Sequence, residues 1–165
     1  MAEILTRLQE ILEKNGKSST LQKGGDEAPD RLLVVLGTIE EGQEDVMEVT
    51  EAVPLFPDKP YHLLQFQYVL SGEVTADTFN QVSSVLHFFN RLIHCPGFEL
   101  DELNNKVIYR YMWFVKDEGI DSFLVMQLLG NLRICYKMFS PYINEIAQGK
   151  YTLEEILKKV TQSKI

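Results

Sequence analysis

One segment of the chain, Lys106–Lys116, carries apolar or aromatic side chains on both of the faces that a β-strand would present. Successive side chains of a strand point to opposite faces of the sheet, so the segment divides into two rows. One row is Val107, Tyr109, Tyr111, Trp113 and Val115; the other is Ile108, Met112 and Phe114, interrupted by Arg110. Such a strand belongs at the centre of a sheet with both faces covered. Either helices cover one face and a partner protein covers the other, or the chain buries both faces itself.

Length and net charge limit the classes of protein to which this chain can belong. At 165 residues and 45% hydrophobic composition, we expect a single domain over residues 1–165. The formal net charge of -8 repels phosphate backbones and anionic lipid, so nucleic acid and membrane are not expected as partners. The amphipathic start differs from a secretory signal, and no apolar stretch approaches the ~20 residues that span a bilayer. We therefore expect a cytoplasmic protein.

The first half of the chain predicts one helix and three strands. Apolar spacing predicts an amphipathic helix over 2–14 that ends at Asn15-Gly16. The segment at about 15–30 is rich in Ser, Gly, Lys and Asp and is expected to be a flexible connection. Alternating segments at 31–39, 45–53 and 61–70 predict a β-meander. Gly42 is expected to supply positive φ in the first turn, and the proline-rich segment 54–60 connects the second and third strands.

The second half predicts helices around two further strands. A helix is expected from Thr75 to about His94, followed by strands at 98–102 and 106–116 joined at Asn104-Asn105. Asp121 caps a long helix to about Phe139, and Ser140-Pro141 suits the start of a helical C-terminal extension over about 140–165. Within that extension, Thr152 and Glu155 form a capping box. The prediction is an α+β fold with a five-stranded, mainly antiparallel sheet and the order α-β-β-β-α-β-β-α-α.

The middle helix is apolar over about half of its circumference, which is wider than one sheet contact requires. The apolar positions are Phe79, Val82, Val85, Leu86, Phe88, Phe89, Leu92 and Ile93. A second copy of the chain is one natural cover for this surplus, and a homodimer is therefore predicted. The alternative is that the long helix or the amino-terminal helix of the same chain covers it.

Candidate chemical groups are few. His87 and His94 lie seven residues apart on one helical face, but Asn90 and Arg91 lie between them and no third ligand follows at helical spacing. Cys95 is expected at a helix C-terminus, where the dipole disfavours a thiolate, and Cys135 is expected to pack as a small apolar residue. Both cysteines are expected to be reduced thiols. No phosphate loop, dinucleotide fingerprint, nucleophile elbow or zinc-protease motif is present, so we predict no catalytic residue, cofactor or metal.

The first hairpin is expected to be acidic. Between Leu32 and Asp58 the chain has seven carboxylates and no lysine or arginine. A run of this kind usually keeps a surface soluble. It can also steer a basic partner segment or protect an edge strand from mispairing.

Three segments of the sequence resemble a known family. They are Leu63-Leu64-Gln65-Phe66, Leu92-Ile93-His94-Cys95-Pro96-Gly97-Phe98-Glu99-Leu100 and Val107-Ile108-Tyr109-Arg110-Tyr111. In these segments the chain resembles the YbjN-like group and similar cyanobacterial proteins, and its predicted element order resembles the related class I type III secretion chaperone fold. The resemblance covers roughly residues 31–148. It implies a homodimeric scaffold that holds extended segments of client protein, and a regulatory or chaperone-like role.

The leading hypothesis is a non-enzymatic protein-binding or chaperone-like domain whose partner is a protein client or a second copy of the chain. The predicted binding or dimer surface is Phe66, Tyr68, Val85, Phe88, Phe89, Leu92, Tyr111 and Trp113. The competing hypothesis is a small-molecule sensor or small enzyme with a pocket assembled from distant residues, with Arg110, Tyr111 and His62 as candidates. A structural subunit of a larger assembly is the third hypothesis.

Overall fold

The computed structural model describes residues 2–26, 28–38, 42, 44–53, 60–116 and 118–162. It is a mixed fold of four helices and an antiparallel six-stranded sheet. The helices are α1 (Ala2–Lys14), α2 (Phe79–Asn90), α3 (Ser122–Ala147) and α4 (Leu153–Gln162). The strands are β1 (Ser18–Gln22), β2 (Arg31–Thr38), β3 (Glu44–Ala52), β4 (Tyr61–Glu73), β5 (Phe98–Asp101) and β6 (Lys106–Lys116). Along the sheet their order is β1-β2-β3-β4-β6-β5.

The sixth strand corrects the predicted count of five. β1 lies inside the segment expected to be a flexible connection, and it pairs antiparallel with β2 in the register Leu21↔Leu32 and Ser19↔Val34. The side-chain amide of Gln9 in α1 also donates a hydrogen bond to the carbonyl of Ser19 at 3.3 Å. Backbone pairing on one side is enough for an edge strand, so a serine-rich composition that looks like a loop still forms a strand here.

Several local signals are confirmed. Gly42 has φ +78° as expected, although its turn neighbours 39–41 and 43 and the proline-rich connection at 54–59 lie outside the described residues. The capping box of α4 forms, because the Thr152 backbone N–H donates to Glu155 Oε2 at 2.8 Å and the Glu155 backbone N–H donates to Thr152 Oγ1 at 3.3 Å. Asp121 Oδ1 accepts the Leu124 backbone N–H at 3.0 Å and caps α3.

Three predicted helix boundaries are wrong. α2 ends at Asn90 rather than near His94, where the Asn90 side chain accepts the backbone N–H groups of Gly97 and Phe98 in the connection to β5. α2 begins at Phe79 rather than Thr75, because residues 75–78 form a separate turn in which Thr78 Oγ1 accepts the Thr75 backbone N–H at 3.1 Å. α3 does not restart at Ser140-Pro141 but continues through Pro141 to Ala147. Proline removes one hydrogen bond from a helix. Phe139, Ile143 and Ile146, on the buried face around this proline, offset that loss by burial.

The chain forms two compact units. Unit 1 comprises Met1–Tyr68 and Tyr111–Asn131. Its core joins the apolar stripe of α1 to the alternating buried residues of the strands. These are Ile4, Leu5, Leu8 and Leu12 from α1, with Leu32, Val34, Leu36, Met47, Val49, Leu64 and Phe66 from the sheet. The core of unit 1 therefore lies on one face of its part of the sheet.

Unit 2 comprises Val69–Arg110 and Leu132–Ile165. Here α2 packs against the second part of α3, with the rings of Phe89 and Phe139 4.6 Å apart. Thr78 Oγ1 donates to the Ala147 carbonyl at 3.3 Å, and the Leu153 backbone N–H at the start of α4 donates to Gln81 at 3.0 Å. Part of the broad apolar face of α2 is thus covered within the chain, since Val82, Val85, Leu86 and Phe89 are buried, whereas Leu92 is 51% exposed.

Among the residues that the structure describes, no helix combines the length and apolar character required to cross a membrane.

Candidate functional site

The strands of unit 1 have an inner row of side chains that faces the core and an outer row that faces away from it. In β2, β3 and the unit 1 part of β4, every second residue is buried. Within the described part of unit 1, all buried strand residues belong to the inner row. We call the outer rows of these strands and of the unit 1 part of β6 the outer face. The unit 1 part of β6 is apolar on both faces, but only one of these faces packs against the core.

The outer face presents aromatic and apolar side chains to solvent. Phe114 is 65% exposed and Met112 is 36% exposed. The ring of Tyr61 lies edge-on to Phe114 with 5.3 Å between centroids, and Leu63 follows Tyr61 in the same row of β4. Contiguous exposed apolar surface of this kind is typical of interaction sites, whereas isolated apolar residues are not. Phe114 and Tyr61 are therefore the centre of the candidate site.

Neutral polar groups lie beside this apolar centre. Gln65 and Gln67 belong to the same row of β4, and the Gln65 amide donates to the Gln67 carbonyl oxygen at 3.0 Å. Register places Gln65 opposite Thr50 and Gln67 opposite Glu48 of β3. Amides offer both donors and acceptors. The outer face can therefore bind a chain that presents backbone groups as well as apolar side chains.

An open groove of about 420 Å³ adjoins Phe114, between the end of β6 and the start of α3. Leu124 forms part of its wall and is 53% exposed. The remaining lining residues are Trp113, Val115, Lys116, Glu118, Gly119, Ile120 and Asp121. Aromatic and aliphatic walls with a charged rim suit an extended peptide segment better than a small polar metabolite.

The acidic hairpin is partly a structural feature. Asp45 is buried and accepts a hydrogen bond from the Tyr68 hydroxyl at 3.0 Å. Glu48 pairs with Arg31 at 3.3 Å, and Glu51 pairs with His62 at 2.7 Å. Glu44 is exposed, while the other three carboxylates, at 40, 41 and 58, lie outside the described residues. Sequence alone did not distinguish the carboxylates used for packing from those that face solvent.

A second, smaller cavity lies next to Glu51. Oε1 of Glu51 is 2.7 Å from His62 Nδ1, while Oε2 is buried and accepts no hydrogen bond from the described residues. The cavity measures about 170 Å³ and is lined by Leu5, Gly24, Gly25, Ala28, Pro29, Asp30 and Glu51. The Gly24 backbone N–H donates to Asp30 at 2.9 Å and holds the pKa of that carboxyl below its usual value, with Lys23 adding to the effect. The cavity therefore offers carboxylate oxygens to a small molecule that donates hydrogen bonds.

Half of the predicted binding residues are interior. Phe66, Tyr68, Val85 and Phe89 are buried and pack the cores of their units. Leu92 is 51% exposed. Phe88, Tyr111 and Trp113 are partly exposed, and the Trp113 ring lies 6.3 Å from Phe66 in unit 1. The predicted surface omitted Tyr61 and Phe114. Phe114 had a signal in the sequence, because it belongs to the second apolar row of β6.

The residues proposed for a distant-residue pocket have local partners. Arg110 makes an ion pair with Glu99 at 2.8 Å within unit 2, and His62 contacts Glu51 within unit 1. Tyr111 is partly exposed at the unit 1 end of β6. A search of the described residues finds no group of three or more His, Cys, Asp or Glu side chains that could hold a metal ion.

Two of the sequence segments that carried the family resemblance meet in unit 2. The Tyr109 hydroxyl donates to the Cys95 carbonyl at 2.6 Å, and the Arg110 backbone N–H donates to the Gly97 carbonyl at 2.9 Å. The Asn90 side chain accepts the backbone N–H groups of Gly97 and Phe98 at 3.1 and 3.0 Å and donates to the Phe98 carbonyl at 2.8 Å. These contacts hold the loop between α2 and β5.

No protein-family model matches the chain, and no curated protein or solved structure is significantly similar to it. The resemblance to YbjN-like proteins and to the secretion chaperone fold stays a prediction. The architecture that the structure shows is the coarser one, a mixed fold with an antiparallel sheet.

Proposed function

We propose that the protein is a non-enzymatic, chaperone-like binding domain that holds an extended segment of a client protein on the outer face of unit 1. The observation that carries this proposal is the exposure of Phe114 and Met112 on a strand whose other face packs into the core. Full burial of a large apolar side chain is worth about 1.5–3 kcal/mol, and the exposed parts of Phe114 and Met112 forgo a share of it. A partner chain that covers them recovers this free energy.

The chemistry of the site favours an apolar and basic client segment. The groove beside Phe114 carries two carboxylates, Glu118 and Asp121, against one lysine, Lys116. The whole chain has a net charge of -8. Charge of this sign attracts basic segments and repels acidic ones. The client expected here has aromatic or aliphatic residues at alternate positions with lysine or arginine beside them.

The proposal accords with the chaperone-like or regulatory role implied by the YbjN-like resemblance. That resemblance also implies a homodimer. In our proposal, self-association uses the outer face, because Phe114 is more exposed than the apolar residues of α2, four of which are buried. A homodimer formed there would compete with the client for Phe114 and Tyr61.

Peptide arrays test the proposal directly. Wild-type protein should bind extended apolar-basic peptides and reject acidic versions of the same peptides. Phe114→Ser should weaken this binding by at least about fivefold, since truncating an anchor costs ~1 kcal/mol or more. Leu103→Ser is the matched control, because Leu103 is 94% exposed in the turn between β5 and β6. Equal peptide binding by wild type and Phe114→Ser would overturn the proposal.

Light scattering separates client binding from self-association. If wild type is dimeric and Phe114→Ser is monomeric, the occupant of the outer face is a second copy. If both proteins are monomeric and only wild type binds peptide, the occupant is a client.

The cavity beside Glu51 supports a second candidate function, a sensor of a small cationic molecule. The buried Oε2 atom lacks a donor among the described residues, and a buried acceptor without a donor costs about 1–3 kcal/mol. A compact ammonium ion would supply that donor. A thermal-shift series with small alkylammonium salts should raise the melting temperature of wild type but not of Glu51→Gln. No shift beyond that given by sodium chloride would exclude this candidate.

A further inference from the structure

The cavity beside Glu51 is larger than a single water requires. It measures about 170 Å³, which is roughly ten times the ~15 Å³ that one water needs. Leu5 of α1 and Glu51 of β3 form part of its wall, and its other lining residues belong to the connection between β1 and β2. These are Gly24, Gly25, Ala28, Pro29 and Asp30. A ligand of several heavy atoms therefore fits this space.

Glu51 is the more buried of two carboxylates that line the cavity. Its side chain is 11% exposed, and its Oε1 atom lies 2.7 Å from Nδ1 of His62. The Oε2 atom is buried and has no hydrogen-bond donor among the described residues. A buried carboxylate oxygen without a donor opposes folding, so a ligand ammonium group that donates to Oε2 removes that cost.

Asp30 is the second carboxylate, and its side chain is 22% exposed. Its Oδ1 atom accepts the Gly24 backbone N–H at 2.9 Å, which lowers the pKa of Asp30 and favours its ionised form at neutral pH. Its Oδ2 atom lies 3.5 Å from Nζ of Lys23, a side chain that is 64% exposed. An ion pair this exposed contributes little to stability. An ammonium group of a ligand can therefore replace Lys23 at Oδ2.

The rest of the wall is apolar or small. Leu5, Ala28 and Pro29 present aliphatic groups, and Gly24 and Gly25 have no side chain. Methylene groups of a ligand gain free energy against such a wall, because they leave water. A bare divalent cation needs several oxygen ligands close together, and the described residues include no group of three or more His, Cys, Asp or Glu side chains suited to a metal ion. The wall therefore suits an organic cation with a charge at each end.

We infer that the cavity binds a short aliphatic diamine, with one ammonium group on Glu51, the other on Asp30 and the methylene groups against Leu5, Ala28 and Pro29. This inference rests on the second candidate function, the sensor of a small cationic molecule, and names the class of ligand. A dication matches the two carboxylates, whereas a monoamine pairs with only one of them. The inference is independent of client binding on the outer face.

Calorimetric titration of the full chain at low ionic strength and neutral pH tests the inference. The ligands are butylamine and a series of diamines, namely diaminopropane, diaminobutane and diaminohexane, with magnesium chloride as a dication that lacks methylene groups. We expect at least one diamine to bind at least about tenfold more tightly than butylamine, since it adds a hydrogen bond to a second charged group. Magnesium should bind more weakly than that diamine.

Two near-isosteric substitutions separate the roles of the carboxylates. Asp30→Asn keeps an acceptor for the Gly24 backbone N–H but removes the charge, so it should abolish the advantage of the diamine and leave butylamine binding unchanged. Glu51→Gln should abolish the binding of both amines. Glu44→Gln is the matched control, because it removes the same charge from an exposed position at the other end of β3, and both amines should bind to it as they do to wild type.

Circular dichroism checks that each variant is folded, and if Glu51→Gln is not, the comparison of wild type with Asp30→Asn still decides the inference. Butylamine binding as tight as that of every diamine would refute the diamine inference and leave the sensor function standing. An undiminished preference for the diamine in Asp30→Asn, or equally tight binding of magnesium, would also refute it. If no amine binds to wild type, the inference and the second candidate function both fail.

Discussion

The hydroxyl of Tyr68 donates a hydrogen bond of 3.0 Å to Oδ1 of Asp45, a carboxylate that is only 3% exposed. Asp45 belongs to β3 and Tyr68 belongs to β4, so this hydrogen bond ties together two neighbouring strands of unit 1. A buried carboxylate requires donors, because its desolvation otherwise opposes folding. Asp45 therefore serves the core rather than the charged surface.

Tyr68→Phe should lower the free energy of unfolding by about 1–3 kcal/mol, since it removes a donor to a buried charged acceptor. Urea denaturation monitored by circular dichroism measures the change. Tyr61→Phe is the control on the outer face, where we expect a change within about 0.5 kcal/mol. Equal effects of the two substitutions would contradict the role assigned to Asp45.

Phe66→Ala and Phe114→Ala should differ sharply although both remove a phenylalanine ring from unit 1. Phe66 is 1% exposed and belongs to the inner row, so its removal should cost about 3–5 kcal/mol. Phe114 is on the outer face and loses mainly its edge contact with Tyr61, which is worth at most ~1.5 kcal/mol. The measurement is the same urea titration. A larger loss at Phe114 than at Phe66 would show that the two rows are assigned to the wrong faces.

Gly97→Ala should destabilise the protein by roughly 2 kcal/mol or more. A Cβ at Gly97 would stand 2.1 Å from the Arg110 carbonyl oxygen, so the pairing beside Cys95 has to open. Gly130→Ala is the control, and we expect it to change the stability in the opposite direction. It lies inside α3, where a Cβ would meet no heavy atom within 4 Å beyond its chain neighbours and the nearby helix backbone, and the substitution should stabilise the protein by about 0.5–1 kcal/mol. Thermal unfolding of both variants checks the pair, and a neutral Gly97→Ala would exclude the close approach.

The capping box of α4 predicts an acid-sensitive contribution to stability. Hydrogen bonds from the Thr152 backbone N–H and then its hydroxyl hold the pKa of Glu155 below the ordinary value of 4.5. A lowered folded pKa stabilises the protein above the unfolded pKa and loses that contribution as pH falls through the folded one. Glu155→Gln should thus be less stable than wild type near neutrality, with the gap closing below about pH 4.5. Urea midpoints of both proteins, measured over a pH series, test this prediction. A difference in stability that grows as the pH falls would contradict it.

The sequence predicts an element correctly where its stabilising interactions join residues close together in the chain. The stripe of Ile4, Leu5, Leu8 and Leu12 predicts α1, and Thr152 with Glu155 predicts the start of α4, because the groups that interact are three or four residues apart. β1 was missed because its stabilising partner is β2, across the loop, and its own composition is that of a connection. The continuity of α3 through Pro141 was missed for a similar reason. The burial that outweighs proline comes from residues packed around it in unit 2.

The candidate site shows the same division. Alternation in Lys106–Lys116 is a property of the chain, since strand geometry alone places Phe114 and Met112 opposite Trp113 and Val115. Which of those faces becomes core depends on where helices pack, and helix packing depends on contacts between residues far apart in sequence. The covering of Phe89 by Phe139 and the exposure of Phe114 were therefore decided only in the folded chain. Covalent order determined the rows and the caps, whereas burial, which is a collective property of packed elements, determined which row stays exposed.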